Sequence, residues 1–211
     1  SGKEVWRTRT IPLPGEPGYE TWGDVPMAER WHVGTWMVPS YDPESNRIFV
    51  GTSVTIPAPK FTLAGNDKTY LYHNSTLALD IATGKLAWYY QELPGDDWDA
   101  DHNQERMLTT TRINPDPKHV KWISSAIPRN EEREVIVTVG EGGGMFVLDR
   151  ESGRFLWANP FPYDDPNINM GDIDLKYGTT SVNPDKLFKK DGDKILGCYH
   201  NTRGLWSIAY H

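Results

Sequence analysis

The run "GDDWDADHNQ", residues 95 to 104, sets Asp96, Asp97, Asp99 and Asp101 around Trp98, with His102 and Asn103 directly after. Carboxylates gathered this closely repel one another unless a cation or a proton offsets them. Two kinds of chemistry use such a set. A positioned carboxylate takes up a proton as a general base, and oxygen-rich clusters bind hard cations. In a strand, residues i and i+2 point the same way, which would let Asp99 and Asp101 converge on one ion. A calcium loop of the helix–loop–helix kind is excluded: with Asp97 as position one, the glycine position holds His102 and the closing glutamate position holds Leu108. Composition alone favours a plainer reading, a solvated acidic turn. On either reading Asp96 and Asp97 are expected as exposed loop charges, His102 as a polar loop residue and Trp98 as packing.

The elements that would position this run repeat along the chain. "SGKEVW" (1–6), "LALDIATGKLAW" (77–88) and "FVLDRESGRFLW" (146–157) share a pattern of apolar-Leu-Asp, two residues, Thr/Ser-Gly-Lys/Arg, two residues and Trp, of which the first copy shows only the second half. "LALD" and "FVLD" read as short apolar strands. Asp80 or Asp149 can accept bonds from the N–H groups of the following turn, and Gly84 or Gly153 can take the positive φ that the turn needs. The next strand then carries Trp88 or Trp157 to a neighbouring sheet. Repeated hairpins of this kind predict a radial or stacked array. The tryptophans are spaced 88 − 6 = 82 and 157 − 88 = 69 residues apart. Both spacings exceed a bare four-stranded propeller blade of roughly 40–50 residues, so loops must be inserted.

"RIFVGTSV", "EVIVTVG" and "GLWSIAYH" read as further strands, while "IPLPGEPGYETWGDVP" and "ANPFPYDDPNINMGDIDLKYGTTSVNPD" read as long loops. The 19 glycines and 16 prolines in 211 residues fit many turns and few long helices. A net charge of −7 without a Lys/Arg cluster argues against a nucleic-acid or anionic-membrane partner. No apolar run approaches membrane-spanning length. The single cysteine, Cys198, excludes an internal disulfide framework and a thiolate metal cage. The opening on Ser1 and the close on "SIAYH" read as cuts within something longer.

The hairpins resemble the tryptophan-docking repeats of the quinoprotein (PQQ-dependent) alcohol and methanol dehydrogenases. The likeness runs through "GKEVWRTRTIPLPGEPGYETW", "GTWMVPSYDPESNRIFVGTS", "ATGKLAWYYQELPGDDWDADHNQ" and "GCYHNTRGLWSIAYH". It implies an all-β fold: about two full four-stranded blades plus partial flanking blades of an eight-bladed β-propeller. Residues 1–211 would form a single segment of that propeller domain, incomplete at both ends. It also implies the cofactor pyrroloquinoline quinone (PQQ), with Ca²⁺ or a lanthanide ion beside it. Asp99 falls at the family's catalytic aspartate, a general base that takes the alcohol proton while hydride passes to the quinone. Asp101 falls where lanthanide users place a second carboxylate, so Asp99 and Asp101 are the expected metal ligands. Coulomb attraction for an added carboxylate is stronger at a trivalent ion. Trp36, five residues before Tyr41 of "YDP", has the spacing of the tryptophan under the cofactor. A flat, electron-poor quinone favours an indole face. The resemblance further implies a small alcohol substrate, a cytochrome c-type electron acceptor and a bacterial periplasmic location. This segment by itself is expected to be inactive and to bind PQQ weakly or not at all.

The sequence departs from the family pattern at two places. The position of a metal-ligating asparagine holds Val54, in "GTSVTIPAP", and the position of a quinone-contacting arginine or lysine holds Glu141, in "GEGGGMF". These departures keep a second function class open, a non-catalytic propeller of PQQ-like repeats acting as a binding or assembly scaffold.

Overall fold

Both full copies of the repeat fold as the same hairpin. A computed structural model of the chain describes residues 2–56, 60–63, 65, 67–142, 144–160 and 170–193; the segment "GLWSIAYH" lies outside them. Strands β1 (Ser40–Asp42), β2 (Arg47–Gly51), β3 (Ser75–Asp80) and β4 (Leu86–Gln91) make an antiparallel meander in the order β1-β2-β3-β4. Strands β5 (Met107–Arg112), β6 (Trp122–Ile123), β7 (Glu132–Gly140), β8 (Gly144–Asp149) and β9 (Phe155–Pro160) make a second sheet in the order β5-β7-β8-β9-β6. The second sheet thus carries a two-residue fifth strand on its edge, which the sequence reading did not foresee.

The turn chemistry follows the sequence. The Asp80 carboxylate accepts from Thr83 N–H at 2.8 Å and the Asp149 carboxylate from Ser152 N–H at 2.9 Å. Gly84 and Gly153 close the two turns at φ +69° and +71°. Each copy then skips one residue at the same place: Ala78 faces Trp88 and Leu79 faces Leu86, just as Val147 faces Trp157 and Leu148 faces Phe155. A bulge of this kind bends the strand and increases its twist. The Trp6 indole lies over Gly84 and the Trp88 indole over Gly153, so close that a Cβ on either glycine would collide with the ring. Trp6 Nε1 also donates to the Ile81 carbonyl at 2.7 Å. Trp6 and Trp88 thus each touch the turn of the next repeat.

A third turn of the same geometry sits where the sequence reads as loop. Asp174 N–H donates to Thr179 O at 2.9 Å and Gly178 N–H donates back to Asp174 O at 2.7 Å, matching 3.0 and 2.8 Å in the Asp80 turn. This turn joins β10 (Met170–Ile173) to β11 (Thr180–Val182). Its run "DIDLKYG" lacks both the Leu-Asp pair and the closing tryptophan, so the pattern that found the other copies passes over it. The proline-rich opening likewise carries structure: Tyr19–Trp22 is a single 3-10 turn, and Trp22 is buried in a cluster with Val25, Val33 and Tyr70.

One core spans the two sheets. Phe49 and Ala78 from the first pack with Ile136, Phe146, Leu148 and Ala158 from the second. Full burial of each large apolar side chain is worth about 1.5–3 kcal/mol. At the rim, Arg150 pairs with Glu134 of its own sheet and lies 3.6 Å from Asp42 of the other, while Arg47 donates to the Glu151 carbonyl at 2.8 Å.

Candidate active site

The acidic run lies on the loop between β4 and β5, and a buried ion pair pins the loop's two ends. Glu92 and Arg106 are both fully buried, with Arg106 Nη2 3.7 Å from Glu92 Oε1. Arg106 donates Nε–H to Thr76 Oγ1 at 3.0 Å and Nη2–H to the His102 carbonyl at 2.6 Å, and its other terminal nitrogen to the Gln104 carbonyl. The Thr76 hydroxyl in turn donates to Glu92. Burial pushes the Glu92 carboxyl up to about 7 against the opposing pull of Arg106 and Thr76. Burial likewise brings the Arg106 guanidinium down to about 10. The planar, many-donor guanidinium suits this task because it ties several carbonyls at once.

Asp96 and Asp97 are not exposed loop charges: they are 1% and 4% exposed. Asp96 accepts from Trp98 N–H at 2.9 Å and Ala100 N–H at 2.8 Å. Asp97 accepts from Lys60 N–H at 2.6 Å and Phe188 N–H at 2.9 Å. Each carboxylate thus satisfies two backbone donors that the irregular loop would otherwise leave bare. Trp98 packs as expected, its ring centroid 5.3 Å from that of Phe188 and its Nε1–H on the Lys186 carbonyl at 2.5 Å.

Asp99 is exposed at the outside of the loop and has φ +59°, a left-handed conformation that aspartate tolerates better than most residues. The run is therefore not a strand, and the two-residue spacing does not by itself align Asp99 with Asp101. Asp101 still faces the same charges. Its Oδ1 accepts from Val54 N–H at 3.0 Å and its carbonyl accepts from Glu141 N–H at 2.9 Å. Burial, reinforced by the Asp99, Glu141 and Asp96 carboxylates, pushes its pKa up to about 7 against the opposing pull of the Val54 N–H. Val54 offers that N–H alone, since its side chain is wholly buried.

His102 is a packing residue. It is fully buried, and neither ring nitrogen has a hydrogen-bond partner among the described residues. The ring presses on Gly140 and Gly142, where any Cβ would strike it, and meets Phe146 edge-on at 6.2 Å. Burial, with Arg106 nearby, holds its pKa at about 3, so it is neutral. Nothing in "DHNQ" announces this, because the glycines that make room lie some forty residues on.

The segment before β1 reaches the same end of the molecule. Ser53 N–H donates to Gly34 O at 3.0 Å, Gly34 N–H to Ser53 Oγ at 2.7 Å and Ile56 N–H to Trp31 O at 3.3 Å. Trp36 follows, 55% exposed, with its ring over Gly34 and tilted against His32 at 5.7 Å. Positions 36, 54, 99, 101 and 141 are thus gathered at one end of the two sheets. The chemistry of these groups fits a flat aromatic ligand and one side of a cation site. Trp36 leaves much of its indole open, and the Asp101 carboxyl is pushed up by burial and then by the surrounding negative charge. Among the described residues no three His, Cys, Asp or Glu side chains are arranged to hold a metal ion, so Asp99 and Asp101 would form only part of a ligand shell.

Adjacent antiparallel sheets, joined through an indole-on-glycine repeat and carrying an acidic loop at one end, are successive blades of a β-propeller. The family model described as "PQQ: Glucose/ethanol/alcohol dehydrogenase, beta-propeller domain" matches residues 1–160, and the chain belongs to this family. The quinohemoprotein alcohol dehydrogenase ADH IIB of Pseudomonas putida is 33% identical over 177 residues, 76% of this chain and 23% of that protein. ADH-IIG of the same organism is 32% identical over 209 residues, 93% of this chain and 26% of that protein. A solved structure of ADHIIG from Pseudomonas putida superposes with a TM-score of 0.71 at 26% identity, over 94% of this chain and 28% of that one. A europium-containing methanol dehydrogenase shares the fold, with a TM-score of 0.62 at 24% identity over 82% of this chain and 28% of that one. The chain spans about a quarter of the length of the curated relatives it matches.

Proposed function

We propose that this chain forms one wall of the active site of a PQQ- and metal-dependent dehydrogenase that oxidises a small alcohol. The observation that supports the reading is the placing of Asp99 and Asp101 on one loop at an end of the two blades, with Asp101 bonded to the segment that also holds the backbone just before Trp36, in a chain of the PQQ dehydrogenase family. When bound, the quinone with its cation supplies the acceptor for the hydride that leaves the alcohol carbon. Asp99, exposed at the outside of the loop, takes the alcohol's hydroxyl proton. Asp99 and Asp101 hold Ca²⁺ or a lanthanide ion through carboxylate oxygens, and the added charge of Asp101 favours the trivalent ion. Trp36 offers the face on which the quinone rests. Residues 1–211 belong on this reading to one eight-bladed propeller held by tryptophan docking, and the stacking of Trp6 on Gly84 and Trp88 on Gly153 supports it. A periplasmic location and a cytochrome c-type acceptor belong to the same reading.

Val54 and Glu141 favour a second reading, a non-catalytic scaffold, because a buried valine ligates nothing and a carboxylate repels quinone oxygens. Titration of PQQ into the full-length protein with Ca²⁺ or La³⁺, followed by tryptophan fluorescence, separates the two. The dehydrogenase reading expects saturable, stoichiometric binding, weakened about 10-fold by Trp36→Ala. Because Trp36 is 55% exposed, that variant should keep its thermal midpoint. A scaffold would show no saturable binding.

A further inference from the structure

Lys60 is a fully buried lysine that the mechanism above does not use. Its backbone N–H donates to Asp97 Oδ1 at 2.6 Å, and its ammonium donates to the Thr55 carbonyl at 3.0 Å. The same ammonium feels the carboxylates of Asp96, Asp97 and Asp99, each of which favours its charged form against the burial that opposes it. Asp96 and Asp97 are themselves buried; Asp96 is tied to the backbone on both sides of Asp99, at Trp98 and Ala100, and Asp97 to the backbone of Lys60 and Phe188. A buried charge is stable only when paired and hydrogen-bonded. Lysine, as a compact point charge on a flexible stem, can serve several carboxylates at once.

We propose that Lys60 is a built-in counter-cation of the acidic loop, a positioning residue that sets Asp99 by pairing with Asp96 and Asp97 beneath it. This pairing lowers the loop's need for a bound cation. Only the link to catalysis rests on the function proposed above; the pairing does not.

Removing the charge leaves two buried carboxylates facing each other. In the metal-free full-length protein, Lys60→Met should lower the thermal midpoint by about 5 °C or more. Millimolar Ca²⁺ or micromolar La³⁺ should then raise the midpoint of Lys60→Met more than it raises that of the parent. Lys60→Arg should fall between the two. A lysine that serves only to fill space would give the variant and the parent the same response to cation, and that result overturns the proposal. If Lys60→Met does not accumulate as folded protein, Lys60→Met/Asp97→Asn decides. Recovery of folded protein in the double variant supports the pairing, and a double variant no better than the single one overturns it. These readouts use neither quinone nor alcohol, so they stand even if the full-length protein proves inactive with PQQ. If it is active, Lys60→Met should lower kcat at least about 10-fold with little change in KM, as displacement of a base requires. An unchanged kcat would overturn the positioning role.

Discussion

Asp99→Asn in the full-length protein should lower kcat for alcohol oxidation by about 10²–10⁴-fold, the range for loss of a general base. The asparagine variant is the informative one. Asp99 sits at φ +59°, where asparagine is tolerated and alanine is strained, so the loop keeps its course. The side chain is exposed, and the midpoint of denaturation should shift by less than about 0.5 kcal/mol. Because Asp99 is also assigned to the cation, loss of rate at constant stability, constant quinone affinity and saturating cation is what reports the loss of the base. Steady-state rates with a dye acceptor, beside a quinone titration of the same preparation, make the measurement. Activity that survives Asp99→Asn would show that the alcohol proton goes elsewhere.

Arg106→Met should destabilise the protein by about 3–5 kcal/mol, the cost of breaking a buried ion pair from one side. The substitution strips the donors from Thr76 and from the His102 and Gln104 carbonyls, and leaves Glu92 buried and unpaired. The loss depends on pH with a definite sign. Burial already raises Glu92 to about 7 in the fold from an ordinary 4.5. A carboxyl raised in this way favours the fold while it is protonated, below 4.5, and loses that contribution as pH rises through the folded value. Without Arg106, nothing of comparable strength opposes the rise. The gap between variant and parent should then be wider at pH 8 than at pH 5. Urea midpoints at the two pH values test this, and a gap that is equal or narrower at pH 8 would contradict it. Because Arg106 holds the carbonyls of His102 and Gln104, the variant should also lose activity through the loop that carries Asp99.

The sequence and the structure agree where the physics is local. Asp80, Gly84, Asp149 and Gly153 act within a few residues of themselves, and each does what its type and spacing require. The repeat pattern marks Trp6 and Trp88, whose rings lie against the turn glycines Gly84 and Gly153. It does not mark the run around Asp174 and Gly178, since the same turn can form without either marker residue.

Long-range pairing accounts for the misjudged charges. Asp96 and Asp97 look like solvated loop residues until Lys60, more than thirty positions away, is placed beside them. His102 looks polar until Gly140 and Gly142 make an apolar slot for its ring. Glu92 and Arg106 flank strands whose alternation explains nothing about them, and only the fold shows that they close one loop. The acidic run is marked in the sequence by its crowded negative charge. Its repulsion is met from two directions: Lys60 on the side of Asp96 and Asp97, and backbone N–H groups throughout. Asp101 has the Val54 N–H against burial and the neighbouring carboxylates, one of which is the residue assigned as base.

On the proposed function this wall belongs to a working quinone site. The most direct measurement is the rate of alcohol-dependent dye reduction by the purified full-length protein, reconstituted with PQQ and either Ca²⁺ or La³⁺. Turnover should require both the quinone and a cation and should fall with Asp99→Asn. Stoichiometric quinone uptake without turnover on any small primary or secondary alcohol, with either cation, would contradict it.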